Sequence, residues 1–141
     1  MADESKLKIW LESCRPKTLP AAAAPVVIGA AMAYADGKVD FLVLSVTLIA
    51  ALLIQIGTNL ANDYYDYIKG ADTAERLGPR RATQAGLVTP NQMKAAFLMT
   101  FALAGACGLY LVYKGGLPIL MIGAVSIGCG ILYTAGPFSL G

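Results

Sequence analysis

Asn59-Leu60-Ala61-Asn62-Asp63-Tyr64-Tyr65-Asp66-Tyr67-Ile68-Lys69-Gly70-Ala71-Asp72 sets an acidic cluster directly on the end of a long apolar run. A carboxylate pair at the edge of hydrocarbon is costly unless something cationic compensates it, so such a pair ordinarily marks a functional site. If the helix of the apolar run continues past Leu60, then Gln55, Asn59, Asn62 or Asp63, and Asp66 recur at three- and four-residue intervals and share one face. Gly70 supplies a C-terminal stop for that helix, after which Asp72 can turn back toward the same face.

Working outward, the 141-residue chain is 57% hydrophobic and 14% charged, and its mean hydropathy of +0.61 lies well above that of an ordinary soluble domain. Residues 19–35, 41–60, 95–113 and 117–135 contain no Lys, Arg, Asp or Glu. Each run is close to the roughly 20 residues a helix needs to cross a bilayer. The expected fold is therefore all-α, a multi-pass transmembrane helical bundle with spans over about 19–35, 41–66, 95–113 and 117–135. Asp36-Gly37-Lys38-Val39-Asp40 and Lys114-Gly115-Gly116 read as tight turns, and residues 67–94 as a long polar loop.

Lys6, Lys8, Arg15, Lys17, Lys69, Arg76, Arg80, Arg81 and Lys94 lie on one side of this topology, and only Lys38 and Lys114 on the other. The excess of Lys and Arg predicts a cytoplasmic N-terminus and acidic cluster. Ala33-Tyr34-Ala35 before Asp36 has the form of a signal-peptidase site, but the leader it implies would be long and would carry Asp3, Glu4 and Glu12. Residues 3–17 suit a short amphipathic helix with Trp10 near the interface. Pro16 and Pro20 favour a helix start, and Pro25 predicts a kink or opened backbone inside the first span. Cys14, Cys107 and Cys129 form no metal-binding or disulfide spacing and, with no His in the chain, are expected to be buried free thiols.

Two carboxylates about one helical turn apart suit Mg²⁺, which takes hard oxygen ligands and keeps its other positions for water and phosphate. The candidate ligands are Asp63, Asp66 and Asp72, and the expected substrate is a phosphate ester or diphosphate. Arg80 and Arg81, with Lys69 and Arg76, would meet phosphate oxygens the metal leaves free, and Gln84 would add a neutral hydrogen bond. Arg76 and Lys94 are read first as topology determinants, and Tyr64, Tyr65 and Tyr67 as interfacial anchors. Ala21 to Ala24, Gly29, Ala30, Ala31, Gly123, Ala124, Gly128 and Gly130 are read as close helix contacts.

The cluster Asn62-Asp63-Tyr64-Tyr65-Asp66 resembles the first aspartate-rich signature of the membrane-embedded UbiA-type prenyltransferases, at the end of their second helix. Arg15-Pro16-Lys17-Thr18-Leu19-Pro20, Pro25-Val26 with Gly29, Gly78-Pro79-Arg80-Arg81 with Gln84, Gly86 and Leu87, and Tyr133-Thr134-Ala135-Gly136-Pro137 are similar to the branch acting on 1,4-dihydroxy-2-naphthoate. Gly70 stands where many members carry a third aspartate, with Asp72 two positions on. Pro137 and Phe138 stand near the place where some branches have a Lys-Arg pair.

The resemblance implies a nine-helix fold, of which residues 1–141 would be the N-terminal part of one domain, inactive alone and lacking the family's second aspartate-rich motif. It implies Mg²⁺-dependent transfer from a polyprenyl diphosphate to 1,4-dihydroxy-2-naphthoate, giving demethylmenaquinone, in a bacterial cytoplasmic membrane and with no nucleic-acid partner. Asp63 and Asp66 would be the catalytic carboxylates, and Asn59, Asn62, Lys69, Arg80, Arg81, Gln84 and Tyr133 would line the diphosphate and aromatic subsites. The rival readings are half of an ion- or proton-coupled transporter, another aromatic-substrate prenyltransferase of the same type, or a structural membrane subunit. The transporter reading is weakened by carboxylates placed at a helix end instead of mid-membrane.

Overall fold

The computed structural model describes residues 5–70 and 81–135, the side chains of 133–135 excepted. Every element among these residues is helical: α1 (Lys6–Ser13), a single 3₁₀ turn (Pro16–Thr18), α2 (Leu19–Ala35), α3 (Phe41–Lys69), α4 (Pro90–Gly115) and α5 (Leu117–Ala135). Three stretches are long and apolar enough to cross a membrane, namely Lys6–Ala35 counted through the 3₁₀ turn, Phe41–Lys69 and Pro90–Gly115, with a shorter apolar stretch at Leu117–Leu132. This is the helical membrane bundle expected from the apolar runs.

The helices outrun those runs at the polar end. α3 continues to Lys69, because no residue before Gly70 breaks it; Gly70 then takes a left-handed conformation at φ 62° and its N–H bonds back to the Asp66 and Tyr67 carbonyls. α4 begins at Pro90, well ahead of residue 95, because Thr89 and Gln92 form a reciprocal capping box and Pro90 occupies the first turn. The segment expected as a loop over 67–94 is thus shortened from both sides. Pro25 lies inside α2 without interrupting it, although its ring removes one intrahelical hydrogen bond, the one to Ala21.

α3 is the hub. It packs most extensively on α4, and also on α2, α5 and α1. The buried cluster lies toward its C-terminal end: Leu60 and Ala61 meet Met93, Phe97 and Phe101 of α4, Ile9 of α1, and Ala82 and Val88 from the connection between α3 and α4. Tyr64, Tyr65 and Phe97 stack with centroid separations of 5.1 to 6.1 Å, so these tyrosines are packing residues as well as interfacial ones. Elsewhere the helices turn apolar side chains outward, as at Val27, Ile28, Met32, Leu109, Ile122 and Val125. That distribution suits lipid as the surrounding solvent, where apolar exposure carries no penalty.

α1 offers Ile9 to the core and leaves Leu7 and Leu11 exposed. Asp40 caps the other end of α3, its carboxylate accepting from the Leu42 and Val43 N–H groups at 3.0 and 3.1 Å, and it lies 3.7 Å from Lys114. The Val43 N–H above all, with the Leu42 N–H and the Lys114 ammonium, holds this carboxyl below the usual range. A carboxyl depressed in the folded state stabilises fully above its ordinary pKa and loses that contribution as pH falls through the depressed one. Acidification from about pH 5 to about pH 2 should therefore speed amide exchange at Leu42 and Val43 relative to an Asp40→Asn variant at the same pH. Equal acid dependence in the two proteins would contradict this.

The α3–α4 contact has no slack at Gly57. A Cβ there would stand 2.9 Å from the Phe101 ring, and Phe101 is itself buried. Gly57→Ala is expected to destabilise the full-length protein by about 1–3 kcal/mol, as overpacking does, with a clear fall in its thermal midpoint in detergent. An unchanged midpoint would show that the two helices are not packed this closely.

Candidate active site

Three segments converge at the C-terminal end of α3: the last turns of α3 itself, the α1–α2 junction, and the turn that follows residue 81. The junction is fastened first. Asn59 is buried and uses both amide hydrogens, donating to the Cys14 carbonyl and to Thr18 Oγ1, each at 2.9 Å. Gln55 Nε2 also donates to Thr18 Oγ1, at 3.3 Å, and the Thr18 hydroxyl donates to the Arg15 carbonyl at 2.9 Å. One hydroxyl thus gives its proton and fills both lone pairs. Arg15, the residue so clamped, has φ 50°, the one positive value on a non-glycine residue among those described. Such a backbone persists only where surrounding contacts hold it, and it is concentrated at functional sites.

Asn62 and Asp66 lie one turn apart on the neighbouring strip of α3. The Arg81 guanidinium pairs with Asp66 through Nη2 and Oδ2. With its amide oxygen toward the cations, Asn62 accepts from Arg81 Nη1 and Nη2 at 3.2 and 2.9 Å and from Arg15 Nη2 at 3.3 Å, while its nitrogen donates to Asp66 Oδ2 at 3.3 Å. Two arginines, an amide and a carboxylate therefore share one polar knot. The Arg81 side chain is only 4% exposed, whereas Asp66 keeps 19%.

Asp63 faces a different way. Its Oδ2 accepts from the Ala82 N–H at 3.1 Å and its Oδ1 from the Thr83 N–H at 3.2 Å, and the residue is 3% exposed. These N–H groups open a compact turn in which Ala85, Gly86 and Leu87 bond back to the carbonyls of Arg81, Thr83 and Ala82. Gly86 at φ 69° lets the chain leave toward α4.

Of the residues the sequence singled out, the structure brings together Asn62, Asp66 and Arg81, with Asp63 beside them. Asn59 lies on the same face but is occupied with the α1–α2 junction. Lys69 is exposed on the last turn of α3, and Gln84 is exposed on the turn after Arg81. Tyr133 lies in α5 with its side chain outside the described residues, and Asp72, Arg76 and Arg80 also fall outside them. Among the described residues no three of His, Cys, Asp or Glu come together. Arg15 is the member that spacing did not reveal. Its only local signal is an Arg-Pro pair at a helix start.

The fold and this site place the chain in a class of membrane protein that gathers carboxylate, amide and guanidinium groups at one end of an apolar helix bundle. Residues 22–140 match the UbiA prenyltransferase family, and the chain belongs to it. It is 44% identical to the 1,4-dihydroxy-2-naphthoate octaprenyltransferase of Escherichia coli strain K12, over 94% of this chain and 45% of that protein. The proteins of the same name from Bacillus subtilis strain 168 and Mycobacterium tuberculosis strain H37Rv are 36% and 38% identical, over 97% and 90% of this chain and 44% and 43% of those proteins. The chain thus spans a little under half the length of these curated relatives. No solved structure matches it.

The junction yields a prediction of its own. Cys14 is a half-buried free thiol at this junction, so its alkylation should be slow. Asn59→Ala removes the bond to the Cys14 carbonyl and leaves that group unsatisfied, worth about 1–3 kcal/mol. Maleimide labelling of Cys14 in the full-length protein should then accelerate about tenfold or more, and no acceleration would show that Asn59 does not fasten this junction.

Proposed function

We propose that the whole protein transfers a polyprenyl group from polyprenyl diphosphate to 1,4-dihydroxy-2-naphthoate, forming the demethylmenaquinone skeleton in a bacterial cytoplasmic membrane. In this reading residues 1–141 are the N-terminal part of a single prenyltransferase domain, with the α3 end cytoplasmic. The observation that carries it is the knot of Asn62, Asp66, Arg81 and Arg15 at the polar end of an apolar bundle, in a chain similar to three naphthoate octaprenyltransferases.

The donor set suits Mg²⁺. Asp66 offers a partly accessible carboxylate and Asn62 an amide oxygen. Asp63 and Asp72 stand near in sequence, and few protein ligands are needed when phosphate oxygens complete the shell. When bound, the ion would supply positive charge to the diphosphate. Arg81 and Arg15 would meet the phosphate oxygens, with Lys69, Arg80 and Gln84 as further candidate contacts.

In the transfer, the allylic C–O bond breaks and its electron pair leaves with pyrophosphate. The electron-rich naphthoate ring then forms the new C–C bond and the carboxyl group is lost as CO₂. Guanidinium groups held before the reaction stabilise the charge developing on the leaving group without having to reorganise. Packed apolar helices keep water from the allylic cation. A groove of about 730 Å³ between α3, α4 and α5, walled by Val43, Ala50, Ile54, Ala104, Gly108 and Ile119, supports the same reading, because a polyprenyl chain requires such walls. Ile54 lies about 14 Å along α3 from Asp63.

Asp66→Asn in the full-length protein should lower demethylmenaquinone formation by about 100-fold or more. Formation at the wild-type rate would overturn the assignment. Arg81→Lys keeps the charge and loses the fork, and is expected to lower kcat more than it raises the KM for polyprenyl diphosphate.

A further inference from the structure

The two acids of the motif lie three residues apart and look interchangeable in sequence, yet their surroundings differ. We infer that Asp63 is a positioning residue, a clasp that holds the Arg81 turn against α3, while Asp66 alone of the pair presents its carboxylate to cation and diphosphate. This division of labour rests on the transferase reading for Asp66; the clasp itself stands on geometry alone.

Both Asp63 oxygens are engaged, one by the Ala82 N–H at 3.1 Å and one by the Thr83 N–H at 3.2 Å. Asp63 is 3% exposed. Ionised carboxylate accepting two backbone N–H groups is the strong form of this bond, and here it does for the turn what an N-cap side chain does for a helix. The two donors follow Arg81 directly, so their position sets where the Arg81 Cα stands. From there the guanidinium reaches Asp66 and Asn62. A cation drawn to Asp63 would have to displace or share both bonds at 3% exposure, whereas the Asp66 carboxylate, although paired with Arg81, keeps 19%. Removing the Asp63 carboxylate leaves two N–H groups short of an acceptor, which frees the turn and carries Arg81 out of register with the diphosphate.

The test compares wild type, Asp63→Asn and Asp66→Asn in the full-length protein in nanodiscs. Amide exchange is followed at Ala82 and Thr83, and the Mg²⁺ requirement is followed through binding of inorganic pyrophosphate. Asp63→Asn should speed exchange at Ala82 and Thr83 at least about tenfold and weaken pyrophosphate about tenfold, with the Mg²⁺ concentration for half-maximal binding unchanged within about twofold. Asp66→Asn should shift that Mg²⁺ concentration by about tenfold or more and leave Ala82 and Thr83 protected.

Ala82→Pro keeps the carboxylate and deletes one of its two donors. It should reproduce the pyrophosphate loss with the Mg²⁺ requirement intact, and it decides the question if Asp63→Asn does not fold. Unaltered exchange in Asp63→Asn, or a Mg²⁺ shift in either clasp variant as large as that of Asp66→Asn, overturns the clasp. Absence of Mg²⁺-dependent pyrophosphate binding in the wild type would instead overturn the transferase reading, with the exchange rates still judging the clasp.

Discussion

A guanidinium buried at the rim of a membrane bundle must be paired, and Arg81 governs how this end of the molecule is built. Its charge is balanced by Asp66 and its hydrogen bonds are shared with Asn62. Removing one member of such a pair leaves an uncompensated charge, a loss that commonly reaches about 3–5 kcal/mol. The surrounding structure reads as the means of keeping that pair in place. Asp63 fixes the turn that carries Arg81, the Phe97 and Phe101 rings close the apolar side, and the clamped α1–α2 junction brings Arg15 within reach of Asn62.

The polar face of α3 is therefore divided into three uses. Gln55 and Asn59 hold the N-terminal junction, Asn62 and Asp66 face the arginines, and Asp63 holds the connection to α4. The division follows from neighbours. Each strip of a helix surface meets a different segment, and residues one position apart, such as Asn62 and Asp63, point about 100° away from each other. The more exposed carboxylate of the pair belongs to Asp66, at 19% against 3% for Asp63.

Much of this is legible in the sequence. The apolar runs marked the helices, Gly70 marked the end of α3, and the three- and four-residue spacing from Gln55 to Asp66 identified a real polar face. Those features are local, set by periodicity, capping and the freedom of one glycine. The start of α4 was also written locally, in Thr89-Pro90-Asn91-Gln92, but the apolar run drew the boundary to residue 95. What spacing could not separate was the partner of each side chain. Asn59 bonds to Cys14 and Thr18 across more than forty residues of sequence. Arg15 reads alone as one more positive charge near a membrane face, because nothing nearby in the chain shows that its backbone is left-handed or that Asn62 awaits it.

A double-mutant cycle on Asp66 and Arg81 tests the central pairing most directly, using Asp66→Asn, Arg81→Met and the combination in the full-length protein, read by thermal unfolding in detergent. If the pair organises this end of the bundle, the two losses will be strongly non-additive, with a coupling of about 1.5 kcal/mol or more. Losses that simply add would mean the two side chains do not depend on each other, and the account of the site built on them would fail.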